Sequence, residues 1–475
     1  MKLVNLIVCA LLINNVAYAS AGHSHDDHAP LNLAPTTVSN IGSASLSTLN
    51  LEIELSDRDG VGYFFLKPQN DEERYINQGY AALNVFHYVD AYRSFKQAYT
   101  LNNKSIFALV GMSYAVLTQD TSKGGATLSS LTLNEAFKLS KTEGMSEQES
   151  AWLDFAKAFF MIKIGNASLL DDKKAVDPSA AFQNLAKVDG ENLEYKTFVH
   201  WIILNNSNFE YIKSVLASVI ATEPNHAGAH HYSLHIAEMV DDIPTAQSHG
   251  KILITLSDNA HAQHMYGHTL PQTGQWKEAL TQFLIADETH KDWASTNGVN
   301  ISEDWHYAHN LDLLAATYLG LGDYKNALDN WSIAMNFDAR AILKTIGLAL
   351  AVNELDRAES AFVQIESMGP QYKNYVAFLR SEQRFLTSNI VPTVFPSTEF
   401  GALLKKNYEN SLSQENLYSQ YEAYFITKIQ SGGFDGWSNG FVELMRARNI
   451  ASKMGLAELE QGLKQLEDRA RSGQL

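Results

Sequence analysis

The pattern of hydrophobic and polar positions becomes helical and repetitive from about Asp71 onward. One set of small and large apolar residues has the offsets 0, 3, 9, 12, 16 and 19: Gly79, Ala82, Tyr88, Ala91, Phe95 and Ala98. The same offsets recur at Gly267, Leu270, Trp276, Ala279, Phe283 and Ala286, and at Ala315, Tyr318, Tyr324, Ala327, Trp331 and Ala334. Such a ladder predicts pairs of antiparallel helices, in which small residues allow close approach and large ones fill the joint.

The ladder resembles the tetratricopeptide repeat. The resemblance implies an all-α fold, a tetratricopeptide-like right-handed superhelix of antiparallel helix pairs. Between residues 105 and 220 only half-motifs remain, such as Gly111 with Tyr114, and we predict degenerate helices there, including Glu147–Ile164 and Leu193–Leu204.

We predict that residues 71–345 form tetratricopeptide-like repeats whose groove is rich in histidine. The C-terminal part, residues 346–475, is predicted to contain further helical repeats and a polar cap. The expected helices are Gln371–Thr387, Phe400–Ile429 with a break near Gln414, Gly440–Met454 and Leu456–Arg471. Prolines at 392 and 396, and glycines at 432, 433 and 436, predict two loops.

Residues 1–21 have the pattern of a secretory signal peptide: Lys2, an apolar stretch over 3–13 and a small-residue cleavage site at Ala17–Ala21. An uncleaved anchor is the alternative. We expect a periplasmic or secreted protein with no transmembrane segment after removal of the signal. Residues 22–70 are interpreted as a His-containing flexible tail followed by an extended segment, with short strands or extended stretches over 49–55 and 61–66.

Cysteine content and net charge limit which metal ligands and which partners the protein can have. The sole cysteine, Cys9, lies inside the signal, so a mature chain has no disulfide or thiolate ligand. The formal net charge of −17 comes with no basic patch, which argues against nucleic acid as a partner and favours cations.

Histidines are concentrated between His226 and His309, where 11 of the chain's 16 lie within 84 residues. Placed in repeat register, His231 and His264 each precede a small anchor residue by 15 positions, and His235 and His268 precede the same anchors by 11. The two HxxxH pairs are therefore one repeat of 33 residues apart.

Further polar residues share this register. His261 and His309 each lie 18 positions before an anchor, Asp312 occupies the register of His231, and Glu238 follows His235 by three positions. Residues at i, i+3, i+4 and i+7 share a helix face. The predicted site comprises His231, His235, His261, His264, His268, His309, Asp312 and Glu238.

Neutral imidazole is a common protein ligand for zinc, copper and iron, so this set predicts a transition-metal site, with zinc or copper favoured over iron. The number of donors allows two metals, or ligands supported by hydrogen-bonding partners. The alternative is that these histidines are structural residues of the groove or core, whose ring nitrogens are hydrogen-bonded to other protein groups. His226, His230 and His306 are weaker candidates, and His87, His200, His249 and His290 are interpreted as structural or surface residues.

The tail over residues 22–28 carries three histidines and two aspartates, which either catch metal ions or form a solvated segment. No HExxH, GxSxG, phosphate-binding or dinucleotide-binding motif is present in the sequence. The sequence therefore names no substrate.

Two segments resemble signatures of one group of exported bacterial tetratricopeptide-repeat proteins. Residues 226–235, HAGAHHYSLH, are similar to an HPGAxHYxIH signature, and residues 261–268, HAQHMYGH, to HxxHMPSH. A later His309-Asn310 and the segment 86–91, FHYVDA, also match that group. The chain departs from the signatures at the entry and bend of these helices, where Ala227 replaces Pro and Tyr266-Gly267 replaces Pro-Ser. The resemblance implies fold and site rather than activity.

Three functions remain open from the sequence: a periplasmic metal-binding protein for handling or sensing metal, a protein- or peptide-binding scaffold, and a metal-dependent hydrolase or oxidase. A metal ion is the expected partner of the metal-binding protein and of the hydrolase or oxidase. In the second, a peptide or protein lies in the groove.

Overall fold

A computed structural model describes residues 53–55, 65–121, 123–174, 176–205, 208–301, 305–337, 339–369, 372–431 and 433–474. All regular secondary structure in these ranges is helical. The predicted signal peptide, the His-containing segment after it and most of the expected extended stretches lie outside these ranges. The backbone carbonyl oxygens of residues 53 and 54 accept hydrogen bonds from Tyr75 and Gln78.

The chain forms 21 α-helices within these ranges. Those of the N-terminal half are α1 Asp71–Asn84, α2 Tyr88–Leu101, α3 Ile106–Gln119, α4 Lys123–Thr142, α5 Glu147–Ile164, α6 Pro178–Asp189, α7 His200–Ile202, α8 Phe209–Thr222, α9 Ala227–Met239, α10 Ile243–Leu256 and α11 Ala260–Thr269. A π-helical turn over Tyr195–Val199 leads directly into α7.

Ten helices follow: α12 Trp276–Asn297, α13 Trp305–Leu321, α14 Tyr324–Ala334, α15 Ala339–Ala351, α16 Leu355–Ser367, α17 Lys373–Ser388, α18 Glu399–Tyr408, α19 Gln414–Ser431, α20 Gly433–Lys453 and α21 Ala457–Arg471. Where neighbouring helices pack and the connection is short, as between α13 and α14, the two helices are antiparallel. No helix in the described ranges has the length and apolarity that a membrane crossing requires.

Packing explains the ladder of small and large residues. A Cβ at Gly79 would lie 2.6 Å from the ring of Phe95, which is fully buried between α1, α2 and α3. A Cβ at Gly267 would lie 3.0 Å from the ring of Phe283. Small residues therefore let each large ring enter the joint between helices. The predicted all-α, tetratricopeptide-like arrangement of helix pairs is confirmed.

Local sequence signals set several helix ends. Ser146 and Glu149 form a reciprocal capping box, so α5 begins at Glu147 as predicted. The predicted break near Gln414 is confirmed by the separation of α18 from α19. The loop predicted at 432–436 is wrong in part, because α20 begins at Gly433.

The chain divides into two compact units. Among the described residues, the first unit contains 53–55, 65–266 and 288–301, and the second contains 267–287 and 305–474. Helices α11 and α12 each contribute to both units. His231, His235, Glu238, His261 and His264 therefore belong to the first unit.

Candidate metal centre

Three histidine side chains meet inside the first unit. His231 and His235 lie one turn apart on α9, and His261 lies in the first turn of α11. The Nε2 atom of His231 is 3.0 Å from Nε2 of His235 and 3.0 Å from Nε2 of His261. All three residues are buried, and each offers a ligand atom within 4.8 Å of the other two. We call these residues the trihistidine cluster.

The tautomer of His231 follows from its other ring nitrogen. Its Nδ1 lies 2.6 Å from the backbone carbonyl oxygen of Asn84, which can only accept. The neutral ring therefore carries its hydrogen on Nδ1 and presents a lone pair at Nε2. One in-plane lone pair satisfies one neighbouring N–H donor but not two. A cation shared by the three nitrogens would account for both 3.0 Å contacts.

The spacing of the nitrogens fits a metal ion. Metal–imidazole bonds of about 2.0–2.1 Å place two tetrahedral ligand nitrogens about 3.3 Å apart, and right-angled ligands about 2.9 Å apart. The observed 3.0 Å separations lie within this range. An ion bonded to His231 and to either neighbour would therefore fit these separations, and three protein ligands would leave at least one further position.

Asn84 is itself held on two sides. Its Nδ2 donates to Glu194 Oε2 at 2.5 Å, and its Oδ1 accepts from the Tyr232 hydroxyl at 3.1 Å. A Cβ at Gly228 would lie 2.5 Å from Asn84 Cβ. Glycine at this position therefore permits the close approach of α9 to α1 that brings the carbonyl oxygen to His231.

Glu194 extends this network to a fourth buried histidine. Its Oε1 is 3.6 Å from His226 Nε2, and both residues are buried. Burial raises the pKa of Glu194 to about 7, against a lowering by the Asn84 hydrogen bond. Burial also lowers the pKa of His226 to about 3. Between about pH 3 and pH 7 the neutral forms of both groups therefore predominate, as expected for polar groups removed from water.

Phe86 packs against the trihistidine cluster from an uncommon backbone conformation. Helix α1 ends in a Schellman motif, in which His87 N donates to Ala82 O and Phe86 N donates to Leu83 O. Phe86 occupies the left-handed position of this motif, with φ 59°. Glycine is usual there because a Cβ is disfavoured.

The ring of Phe86 contacts all three imidazoles. Its centroid lies 4.6 Å from that of His231, 5.1 Å from His261 and 5.8 Å from His235. Trp201 stacks on His235 at 5.4 Å. The cluster therefore lies among aromatic rings, which exclude water and strengthen electrostatic interactions with a bound cation.

Two other predicted residues lie beside the cluster. Glu238 Oε2 is 3.8 Å from His235 Nδ1, where a carboxylate can orient the ring and offset positive charge. His264 stacks on His261 with a centroid separation of 5.7 Å. His264 is not among the three residues whose ligand atoms converge. The structure thus joins the first HxxxH pair to His261 rather than to the register-equivalent His264.

The remaining three predicted residues belong to the second unit. His268 is buried there, with its ring 6.0 Å from that of Phe434, and His309 is half-buried on α13. The two oxygens of Asp312 accept hydrogen bonds from Lys344 at 2.7 and 3.0 Å, and one also accepts from Trp331. Asp312 therefore forms an ion pair with Lys344 in this structure, and its role as a metal ligand stays a prediction.

Two histidines outside the predicted set also approach each other. Nδ1 of His230, on α9, lies 3.0 Å from Nδ1 of His249, on α10. His200 has a structural role, as predicted, since its Nδ1 lies 3.0 Å from the Tyr195 carbonyl oxygen. Burial lowers the pKa of His200 to about 4.

Sequence reasoning missed Asn84, Glu194 and Phe86 as supports of the cluster. Asn84 and His231 are 147 positions apart, so no local spacing relates them. Phe86 did carry a signal, because it begins the segment 86–91 that resembles the exported repeat proteins.

No protein-family model matches the chain, and no curated protein matches it. Among solved structures, a Rap protein complexed with competence and sporulation factor is 13% identical, covering 85% of this chain and 98% of that chain, with a TM-score of 0.32. The human IFIT1 dimer with m7Gppp-AAAA is 12% identical, covering 90% and 98%, with a TM-score of 0.38. The apo form of RapI is 12% identical, covering 85% and 98%, with a TM-score of 0.30.

Proposed function

We propose that the first unit binds one transition-metal ion through His231, His235 and His261, and that the protein handles or senses this metal. The observation that supports this most directly is the approach of two Nε2 atoms to the single lone pair of His231. Hydrogen bonding satisfies one of these contacts, whereas a shared cation satisfies both.

The donor set points to a class of ions. Three neutral imidazoles suit zinc, copper and iron(II), and they disfavour magnesium and calcium, which prefer oxygen ligands. Glu238 adds a negative charge beside His235, and the formal net charge of −17 attracts cations to the protein. Export to the periplasm, inferred from residues 1–21, would place the site where metal ions enter the cell envelope.

A site with three protein ligands suits a protein that handles metal, because it leaves a coordination position at which other ligands can exchange. A structural zinc site is closed by four protein ligands, whereas a site with three keeps a position for water or another ligand. That position allows an incoming ligand to bind the metal before the imidazoles release it. The same position would serve a catalytic metal, and no described residue beside the cluster identifies a substrate.

Elemental analysis of untagged protein, purified and then supplied with zinc, copper and iron in turn, tests the proposal. We expect the variant His231→Ala/His261→Ala to lose one bound equivalent. The matched control is His200→Asn, because His200 is equally buried but hydrogen-bonds to Tyr195 outside the cluster. Circular dichroism establishes that each variant remains helical.

Retention of the full metal content by a folded double variant would refute the trihistidine assignment. Metal content far below one equivalent in the wild-type protein, after supply of all three metals, would refute metal binding altogether. X-ray absorption then counts the ligands, and a shell closed entirely by protein donors would contradict the exchangeable position.

A further inference from the structure

His230 and His249 form a second histidine pair in the first unit. They lie on α9 and α10, which pack against each other, and their Nδ1 atoms are 3.0 Å apart. His230 is adjacent in sequence to His231, but successive side chains on a helix diverge by about 100°. The pair therefore lies on a different face of α9 from His231 and His235.

The tautomer of His230 is set by its second nitrogen. Nε2 lies 2.9 Å from the backbone carbonyl oxygen of Pro224, so it carries the hydrogen and leaves a lone pair at Nδ1. This lone pair points at His249 Nδ1. In the absence of metal, His249 can donate a hydrogen bond from Nδ1, which accounts for the 3.0 Å separation.

The same arrangement can accept a cation with little rearrangement. His249 is only half-buried, so its proton can move to Nε2 and leave Nδ1 as a second donor. Two nitrogens 3.0 Å apart match ligands at about 90–100° around an ion bonded at about 2.0–2.1 Å. Burial and His230 lower the pKa of His249, which keeps its imidazole neutral and able to offer a lone pair, and the carboxylate of Asp242 acts in the opposite direction.

We infer that His230 and His249 constitute a second metal site, of the two-histidine class, for copper(II) or zinc(II). Two protein donors leave more positions for water than the trihistidine cluster does, so this site binds more weakly. Partial exposure of His249 also gives it direct access from solvent. The site does not depend on the trihistidine cluster, and either one can exist without the other.

The test begins with a full-length background that lacks the competing histidines. The substitutions His231→Ala and His261→Ala remove the trihistidine cluster, and alanines at His23, His25 and His28 remove the tail. Titration of this protein with copper(II), and separately with zinc(II), is expected to show one remaining equivalent. Copper(II) electron paramagnetic resonance should report two coordinating nitrogens.

Adding His249→Ala to this background should weaken binding of the remaining equivalent at least tenfold. The matched control is His87→Ala, because His87 is also partly exposed and pairs instead with Asp90 at 3.2 Å. In the protein with the cluster intact, His249→Ala should leave the tighter equivalent unchanged.

Absence of the remaining equivalent from the folded background would overturn the second site without affecting the first. Binding that survives His249→Ala unchanged would also overturn it. Binding lost through His87→Ala rather than His249→Ala would place the ion elsewhere. Failure of the trihistidine proposal has a different signature, since it appears as an unchanged metal content in the cluster variant alone.

Discussion

Replacing Gly228 by alanine tests whether the backbone of Asn84 positions His231. A Cβ at Gly228 would lie 2.5 Å from Asn84 Cβ and 2.7 Å from Asn84 Cγ. Carbon atoms in ordinary contact are about 3.5–4.0 Å apart. Helices α1 and α9 must therefore separate by roughly 1 Å at this point for the methyl group to fit.

This separation is large compared with the hydrogen bond it would disturb. The bond from His231 Nδ1 to the Asn84 carbonyl oxygen is 2.6 Å long, and a displacement of about 1 Å would break it. Loss of a hydrogen bond that orients a ligand lowers metal affinity by about 10–100-fold. Overpacking also costs about 1–3 kcal/mol of unfolding free energy, against about 1 kcal/mol gained when alanine replaces glycine in a helix.

The assay is a competition titration of zinc against a chelator, with urea denaturation of the metal-free protein. Ser233→Ala is the matched control, because it lies on the same helix, is half-buried and adds no atoms. We expect normal affinity in the control and weakened binding in Gly228→Ala. Wild-type affinity in Gly228→Ala, together with increased stability, would refute the positioning argument.

Three further predictions concern buried groups of the fold. Phe86→Gly should be more stable than Phe86→Ala by about 1 kcal/mol, because φ is 59° at this position and glycine accepts it; urea denaturation giving the opposite order would contradict this. Burial lowers the pKa of His200 to about 4 in the folded protein, so the unfolded chain binds a proton at a higher pH than the folded one. The free energy of unfolding therefore falls as the pH drops from about 6.5 to 4, by at most about 3 kcal/mol. Thermal unfolding across this range should show a smaller decrease for His200→Asn, and an identical decrease would count against this role. Arg446 Nη2 and Glu382 Oε2 form a buried ion pair at 2.6 Å. Glu382→Gln should cost about 3–5 kcal/mol because it leaves Arg446 charged and buried, and adding Arg446→Met should restore most of the loss in thermal unfolding; no recovery in the double variant would argue against this ion pair.

Helix pairs were predictable from sequence because helical periodicity is local. The ladder from Gly79 to Ala98 specifies which residues of two adjacent helices touch, and Phe95 is buried against Gly79 as that ladder requires. The convergence of His231 and His235 was equally predictable, since residues at i and i+4 share a face.

Register placed His261, His264 and His268 together in the predicted site and did not distinguish which of them meets this pair. Neighbouring helix axes lie about 8–10 Å apart, so equivalent positions are side by side rather than within ligand distance. His261, one turn before His264, reaches His231 instead. The pairing of Asp312 with Lys344 similarly depends on a helix further along the chain.

The sequence by itself determined the helices, their pairing and the faces that carry histidine, because each depends on spacings within about 40 residues. The tertiary structure decided which three imidazoles meet, because that depends on packing between α9 and α11 and on contacts with α1. It also decided the tautomer of His231 and the position of the Phe86 ring. Asn84 lies 147 positions from His231, and only the folded chain brings its carbonyl oxygen within 2.6 Å of the imidazole.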